Sequence, residues 1–555
     1  MSCSKSHRLC RTDVVPQLPT RVLDVCHQPD PRLFCSEGLA APYIALSHSW
    51  GSSQPLRTLK HNVVSHTEGI AIESVPRTFQ DAIRVTRHLG IRYLWIDSLC
   101  IVQDDREDWA REAARMGDYY SKAELVIATS SSTGCMQGFL GSRPESIAGT
   151  LQIPRDRYLA EKLQLHFREA LLGDSGSIAR QLGYQLDTLS TRGWCFQERL
   201  LARRYLSFGR HELLWECNAA CWCESSDLSN PDLGMDGVDN TGSGGGGDHD
   251  YNLSLRLKGW GSSSSSFRDE LYQFWRLKVV RHYAHRALTR YEDRLVAVQG
   301  IADVLAEHLG DISDYAYGVW KGDALWGLSW STEADYQVTG PCVPLDVAPT
   351  WSWASIYGRV SYSNWPERIW SVELEGFEPS DDATMSPAAP QLSPNNRPSL
   401  SLQLRGQLLS AQLEIKENDD IRLFLRDGTG KINPELSTTQ VFLDTPCQTL
   451  FLKTPDGCIV KTVNRVDSSS RRKCEQEQRP GLVSDAVAAP ATVWILHLYS
   501  SGDHLQTEFL ILGQSNLHEG KFQRIGMSRI GRTKATFNEV QRILDEIPKA
   551  MVSII

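Results

Sequence analysis

Four consecutive apolar or aromatic residues, Tyr93-Leu94-Trp95-Ile96, run straight into Asp97, and this stretch constrains the fold of the chain most tightly. The run is too short for a buried helix and lacks the alternation of a half-exposed strand. It reads as a central strand covered on both faces, as in a parallel sheet. Asp97 then falls at the carboxyl end of that strand, where open α/β sheets bind their ligands. The competing reading is that Asp97 caps the next turn or pairs with an arginine. Position alone does not choose between them.

The segments around this run predict more of the same layer. Arg21–Val25 reads as a short strand and Tyr43–Ser47 as a stronger one. The latter breaks at His48-Ser49-Trp50-Gly51, which sets small polar residues and a glycine at a strand terminus. Backbone amides there can face a ligand, or the stretch is a tight turn with Trp50 packed beneath it. Thr78 and Asp81 have capping-box spacing. Phe79, Ala82, Ile83 and Leu89 mark one helical face, and Gly90 supplies a stop, so Thr78–Leu89 is predicted as a helix. A second helix follows Asp104-Asp105, with Trp109, Ala113, Met116 and Tyr120 as its core stripe, and Leu125–Thr129 is another buried strand. Strand, helix, strand, helix, strand is the pattern of a parallel α/β layer.

Further on, Ser190 or Thr191 can cap a helix that carries Trp194, Glu198 and Leu201 at i, i+4 and i+7, on one face. A carboxylate between two apolar residues is not a solvated charge. Glu198 is therefore partly buried and either paired, with Arg192 or Arg199 as partner, or functional. Arg203–Phe208 and Glu212–Cys217 read as a hairpin across Gly209-Arg210.

Composition excludes some functions. The chain has 58 basic against 67 acidic residues and shows no basic patch, which argues against a nucleic-acid partner. No run approaches the ~20 apolar residues of a membrane helix, and the first residues lack the apolar core of a signal peptide. A cytoplasmic protein without a membrane partner is expected, with a nuclear location open. The 14 cysteines are then reduced thiols. Cys217, Cys221 and Cys223, with His211 nearby, have a C-x3-C-x-C spacing that fits no common zinc pattern, so no metal site is expected. Gly244–Gly247 is no phosphate loop, because no Lys-Ser/Thr follows it.

Three blocks together resemble the HET (heterokaryon incompatibility) domain family of filamentous fungi. The first is Tyr43-Ile44-Ala45-Leu46-Ser47-His48-Ser49-Trp50-Gly51. The second runs from Pro76 through Tyr93–Asp105, Asp108-Trp109 and Glu112 to Met116 and Tyr120. The third is Arg192-Gly193-Trp194-Cys195-Phe196-Gln197-Glu198-Arg199. The family often has Tyr-x-Trp-Gly after the serine, where this chain has His48-Ser49-Trp50-Gly51. Asp293-Arg294-Leu295 and Pro349–Trp353 look like the downstream region of long family members. The resemblance implies non-self recognition, with growth arrest or cell death triggered through an incompatibility partner protein and possible self-association.

A remoter likeness bears on mechanism. The order of parts is similar to a TIR domain: a first strand ending in Ser47, a second ending in Asp97, and Trp194-Cys195-Phe196-Gln197-Glu198 in place of the TIR Trp-Cys-x-x-Glu stretch. That glutamate is catalytic in NAD-cleaving TIR domains, so the likeness implies Glu198 as the candidate catalytic residue. It makes NAD a substrate rather than a required cofactor. Ser47, Trp50, Gly51, Asp97 and Trp194 would line the nucleotide pocket.

The expected organisation is a loose 1–20, an α/β HET domain with a TIR-like, mostly parallel sheet over 21–224, and a Gly/Ser-rich insertion over 225–266. A helical and tryptophan-rich region over 267–375, a linker over 376–399 and a β-rich region over 400–555 follow. Around Trp320, Trp326, Trp330, Trp351 and Trp353, aromatic packing is the expected role.

Overall fold

The computed structural model describes residues 3–51, 55–141, 148–153, 163–168, 188–223, 265–332, 348–379, 400–462 and 491–555, apart from short gaps inside those stretches. The Gly/Ser-rich insertion up to residue 264 and the stretches 380–399 and 463–490 lie outside the described residues. The chain forms two compact units. One is Met1–Ser262 with Val296–Val304; the other is Ser263–Leu295 with Leu305–Ile555.

The first unit is built on an eight-stranded sheet. Its strands are β1 (Arg21–Asp24), β2 (Arg32–Cys35), β3 (Tyr43–Ser47), β4 (Tyr93–Trp95) and β5 (Leu125–Ala128). A separate antiparallel pair, β6 (Ala148–Ile153) and β7 (Leu163–Arg168), intervenes. The sheet then resumes with β8 (Arg204–Phe208), β9 (Leu213–Cys217) and β10 (Ala220–Cys223). The strand order is β10-β9-β8-β5-β3-β4-β1-β2. The four middle strands β8, β5, β3 and β4 pair in parallel, and the outer strands pair antiparallel. Tyr43–Ser47 and the run before Asp97 are inner strands, as their unbroken apolar character predicts. Numbered among themselves, the parallel strands lie in the order 2-1-3-4, which is doubly wound.

The helices cover both faces. Helix α1 is Val63–Glu68 and α2 is Arg77–His88; α3 (Asp97–Cys100), α4 (Arg106–Ala114), α5 (Met116–Lys122) and α6 (Gly193–Leu201) follow. Phe79, Ala82 and Ile83 of α2 pack with Ile44, Leu46, Leu94 and Ile96 on one face. Met116, Tyr119 and Tyr120 of α5 and Cys195 of α6 pack with Tyr43, Ala45, Trp95 and Val126 on the other. Apolar residues alternate faces along each strand while both faces stay buried, which is why the strands read as unbroken runs.

Several local expectations are corrected. Helix α2 is entered through Pro76, with no side-chain cap. Thr78 and Asp81 do not form a capping box. Both reach across to the loop after β5, where Thr78 Oγ1 accepts from Gly138 N (3.2 Å) and Asp81 Oδ2 from Phe139 N (2.9 Å). Leu89 falls past the helix end and is exposed. The helix after Asp105 is two helices, broken at Arg115. Helix α6 has Arg192 at its N-cap, not Ser190 or Thr191, which belong to a preceding 3-10 turn. In the segment expected to be loose, Cys3 and Cys10 are buried and Gln17 bridges to Ala40.

The second unit opens with a helix at Ser265–Phe274. Trp275, Trp320, Trp330, Trp351 and Trp353 are its largest fully buried side chains among the described residues, so they form a core. A ten-stranded sheet follows, with Leu400–Ile415 as one continuous strand in the expected β-rich region. Glu373–Pro379 is a strand of the same sheet, although residues from 376 were expected to be linker. Among the described residues no helix is long and apolar enough to cross a membrane.

Candidate functional site

The carboxyl edge of the parallel strands gathers the chemistry. β3 ends at Ser47, and the chain turns through His48, Ser49 and Trp50 into Gly51, which has φ +78. A side chain on Gly51 would sit 2.8 Å from the Cα of Gly134, so glycine is required both by the left-handed backbone and by the close approach of the loop after β5. Trp50 Nε1 donates to Asp97 Oδ2 at 2.9 Å, and Ser98 N donates to Asp97 Oδ1 at 2.7 Å. Asp97 thus both starts α3 and anchors the β3 turn. His48 lies with Nδ1 3.8 Å from Asp97 Oδ1 and its ring edge-on to Phe79. Burial pulls the His48 pKa down against the pull of Asp97, and the charge of Arg192 lowers it further. His48 is therefore neutral at physiological pH.

Glu198 comes to the same place from α6 and is 5% exposed. Burial pushes its carboxyl up to about 7, and the charge of Asp97 adds to the rise. The Ser47 hydroxyl, Arg192 and Cys195 oppose it. Ser47 lies close enough to favour the charged carboxylate but makes no hydrogen bond of normal geometry. The Tyr120 phenol donates to Leu46 O at 3.1 Å and sits beside Glu198, whose charge holds the phenol protonated together with burial. Arg199, one of two arginines expected to pair with Glu198, is committed elsewhere: it holds Glu216 with two bonds, 2.8 and 2.6 Å. Arg192 donates to Ser49 Oγ at 3.4 Å, and its charge reaches Glu198.

Five buried polar atoms here have no hydrogen-bond partner among the described residues: Ser47 Oγ, His48 Nε2, Ser98 Oγ, Thr129 Oγ1 and Glu198 Oε2. Buried polar groups are almost always paired, and leaving one unpaired costs about 1–3 kcal/mol. Ser47 and Thr129 lie at the ends of β3 and β5, the pair of strands where the doubly wound order reverses and ligands bind. The concentration of unmet donors and acceptors at that position marks a site for a polar ligand.

The structure therefore brings together Ser47, Trp50, Asp97 and Glu198, with Gly51 exposed at the rim. Trp194 is half-buried and packs against the apolar core of the α5/α6 face. Sequence reasoning missed His48, Ser98, Tyr120 and Thr129 as members. Tyr120 was absorbed into a helical stripe; the signal available was that a core tyrosine needs a partner for its hydroxyl. Two other carboxylates of the resembling blocks are structural. Asp108 pairs with buried Arg21 and accepts from Val102 N (2.8 Å), and Glu112 accepts from Tyr119 Oη (2.8 Å).

Comparison with known proteins agrees with this layout. Residues 43–198 match the family model of the heterokaryon incompatibility protein (HET), a match that begins at β3 and ends on Glu198. The curated Heterokaryon incompatibility protein 6, OR allele, of Neurospora crassa is 30% identical over 128 residues, which cover 20% of this chain and 18% of that protein. The match thus spans less than a fifth of the relative's length. No solved structure matches.

Proposed function

Because residues 43–198 match the heterokaryon incompatibility (HET) family model, we propose that this chain acts in non-self recognition in a filamentous fungus and that its output is cell-death signalling. It would respond to an incompatibility partner protein and act through self-association. The domain match supports the recognition role.

A second reading concerns how such an output is generated, and one observation favours it: a buried glutamate with an unpartnered oxygen sits among unpaired hydroxyls at the strand switch point. That arrangement suits cleavage of the nicotinamide–ribose bond of NAD. The bonding pair of that C–N bond leaves with nicotinamide, which departs neutral and needs no strong acid. Water then adds to the ribose carbon and gives up a proton to solvent. The transition state is oxocarbenium-like, and a carboxylate beside the ribose stabilises its positive charge. Glu198 fills that role in its ionised form. Ser47 and Thr129, at the ends of β3 and β5, would meet ribose hydroxyls, and the Trp50–Asp97 bond supports one wall of such a site.

The test is an NAD consumption assay on purified protein, both dilute and forcibly clustered. Release of nicotinamide and ADP-ribose, stronger on clustering, is the expected result. No product in either state would leave recognition and signalling as the function and discard the enzymatic step.

A further inference from the structure

One cluster lies apart from this site. The ligand atoms of Cys3, His7, Cys10 and Cys217 all lie within 4.8 Å of one another. His7 Nδ1 is 3.5 Å from Cys217 Sγ and 3.9 Å from Cys10 Sγ. Zinc bound at ~2.3 Å from sulfur and ~2.0 Å from nitrogen in a tetrahedron holds its ligand atoms about 3.5–3.8 Å apart, so these distances are nearly those of a formed site. The three cysteines are free thiols, 6%, 0% and 1% exposed, and form a small buried cluster of their own.

We propose that Cys3, His7, Cys10 and Cys217 form a structural zinc site that clamps the amino-terminal turn onto the end of β9. The donor set is three thiolates and one imidazole, a combination zinc uses in closed, four-ligand sites with no position left for substrate. Cys3, His7 and Cys10 come from one short stretch with C-x3-H-x2-C spacing, and the fourth ligand arrives 207 residues beyond Cys10, at the turn from β9 to β10. That separation is why no zinc pattern was legible locally. The spacing that drew notice, Cys217, Cys221 and Cys223 with His211, does not supply the set: His211 and the side chains of Cys221 and Cys223 lie outside the described residues. Charge also balances. Three thiolates on a divalent ion leave one net negative charge. Arg204, 4% exposed, donates to Cys10 O at 2.7 Å and lies against Cys3. Without a metal, three thiols packed together beside a buried arginine would bury reactive groups for no gain in packing.

The experiment is elemental analysis of full-length protein purified without chelator, together with the cobalt(II)-reconstituted protein. One zinc per chain is expected, and the cobalt form should show thiolate-to-metal charge transfer and tetrahedral ligand-field bands. Cys10→Ser and Cys217→Ser should lose the metal. His7→Ala keeps all three buried thiols and so should fold, but should surrender zinc to chelator much faster than wild type. Chelation should lower the wild-type melting temperature and leave that of Cys217→Ser unmoved. Wild type that takes up no stoichiometric zinc or cobalt after reconstitution would overturn the site. So would a mass lower by two hydrogens under non-reducing conditions, mapped to a disulfide among these cysteines.

Discussion

At the scale of single residues, Glu198 carries the sharpest prediction. Its partial burial was legible from its place between Trp194 and Leu201, but its partner was not, because Arg199 turns away to Glu216 across the hairpin. Among the described residues no arginine is hydrogen-bonded to Glu198, so its charge finds little compensation for burial. Its carboxyl is raised from 4.5 to about 7. Between those values the folded chain keeps a proton that the unfolded chain has released, so the group's contribution to stability is complete below pH 4.5 and is lost as pH rises through 7. Glu198→Gln imitates the protonated form permanently. The variant should match wild type near pH 4.5 and exceed it by roughly 2–3 kcal/mol at pH 8. His48 contributes the opposite slope in both proteins, so the difference between their pH–stability curves isolates Glu198. Thermal or urea melts across pH 4.5–8 check it, and a difference that does not change with pH would contradict the assignment. In the NAD reading the same variant should lose at least ~100-fold in turnover while staying folded, and wild-type turnover should rise with pH through 7 as the carboxylate forms. Asp97 stands at the first position of α3, where one carboxylate oxygen accepts from Ser98 N and the other from Trp50 Nε1.

Among the elements, the strands were the most legible part, because two-sided burial prints an unbroken apolar run that needs no knowledge of the partner. Helix ends were less so. The Thr78/Asp81 pair has cap spacing, yet both side chains serve a loop 56 to 60 residues away, and local sequence cannot distinguish these uses. Glycines divide in the same way. Gly90 reads as a stop and is one: it has φ +71 and nothing within 4 Å of an added side chain. Gly117, in α5, has an unremarkable local context. Its added Cβ would lie 2.8 Å from the Cα of Gly300 and 3.3 Å from Leu201 Cδ1, a crossing of two backbones 183 residues apart. Alanine inside a helix ordinarily gains about 1 kcal/mol over glycine. Here the obstacle is backbone, which cannot rotate away, and overpacking of that kind costs about 1–3 kcal/mol. Gly117→Ala should therefore destabilise despite its better helix propensity, and Gly300→Ala should do the same, since its Cβ meets Gly117 Cα at 2.8 Å and Gln197 Oε1 at 2.9 Å. Gly90→Ala should cost only about 1 kcal/mol of left-handed strain. Urea melts of the three variants rank them, and a Gly117→Ala protein as stable as wild type would show that the backbones at Gly117 and Gly300 can move apart freely.

For the whole molecule, the segment that carries the family likeness is smaller than the unit that folds. Residues 43–198 include β3, β4 and β5 but omit β8, the parallel neighbour of β5, and β1, which pairs with β4 at Leu23↔Leu94. The core loses Leu18, Val22, Leu33, Ala202 and Tyr205 from one face and Leu23 and Val25 from the other. Asp108, 5% exposed, loses its buried partner Arg21 and keeps only the more exposed Arg111 as an ion-pair partner, which weakens the packing of this corner. The matched segment thus stops one strand short of a complete parallel layer on one side and lacks the antiparallel neighbour of β4 on the other. A fragment of residues 43–198 should consequently be insoluble or lack a cooperative melt, with β4 and β5 left as open apolar edges that template aggregation. A fragment of residues 1–223 restores both neighbours and the Arg21–Asp108 pair and should be soluble. It should still melt below the full chain, because Gly300 N, which donates to Gln197 Oε1 at 2.8 Å from the Val296–Val304 segment of the same unit, is missing. Circular dichroism melts and size-exclusion of the two fragments decide it. If residues 43–198 alone gave a monomer with a sharp transition, β1 and β8 would be dispensable, and the site at the ends of β3, β4 and β5 would stand on a smaller fold than the one described.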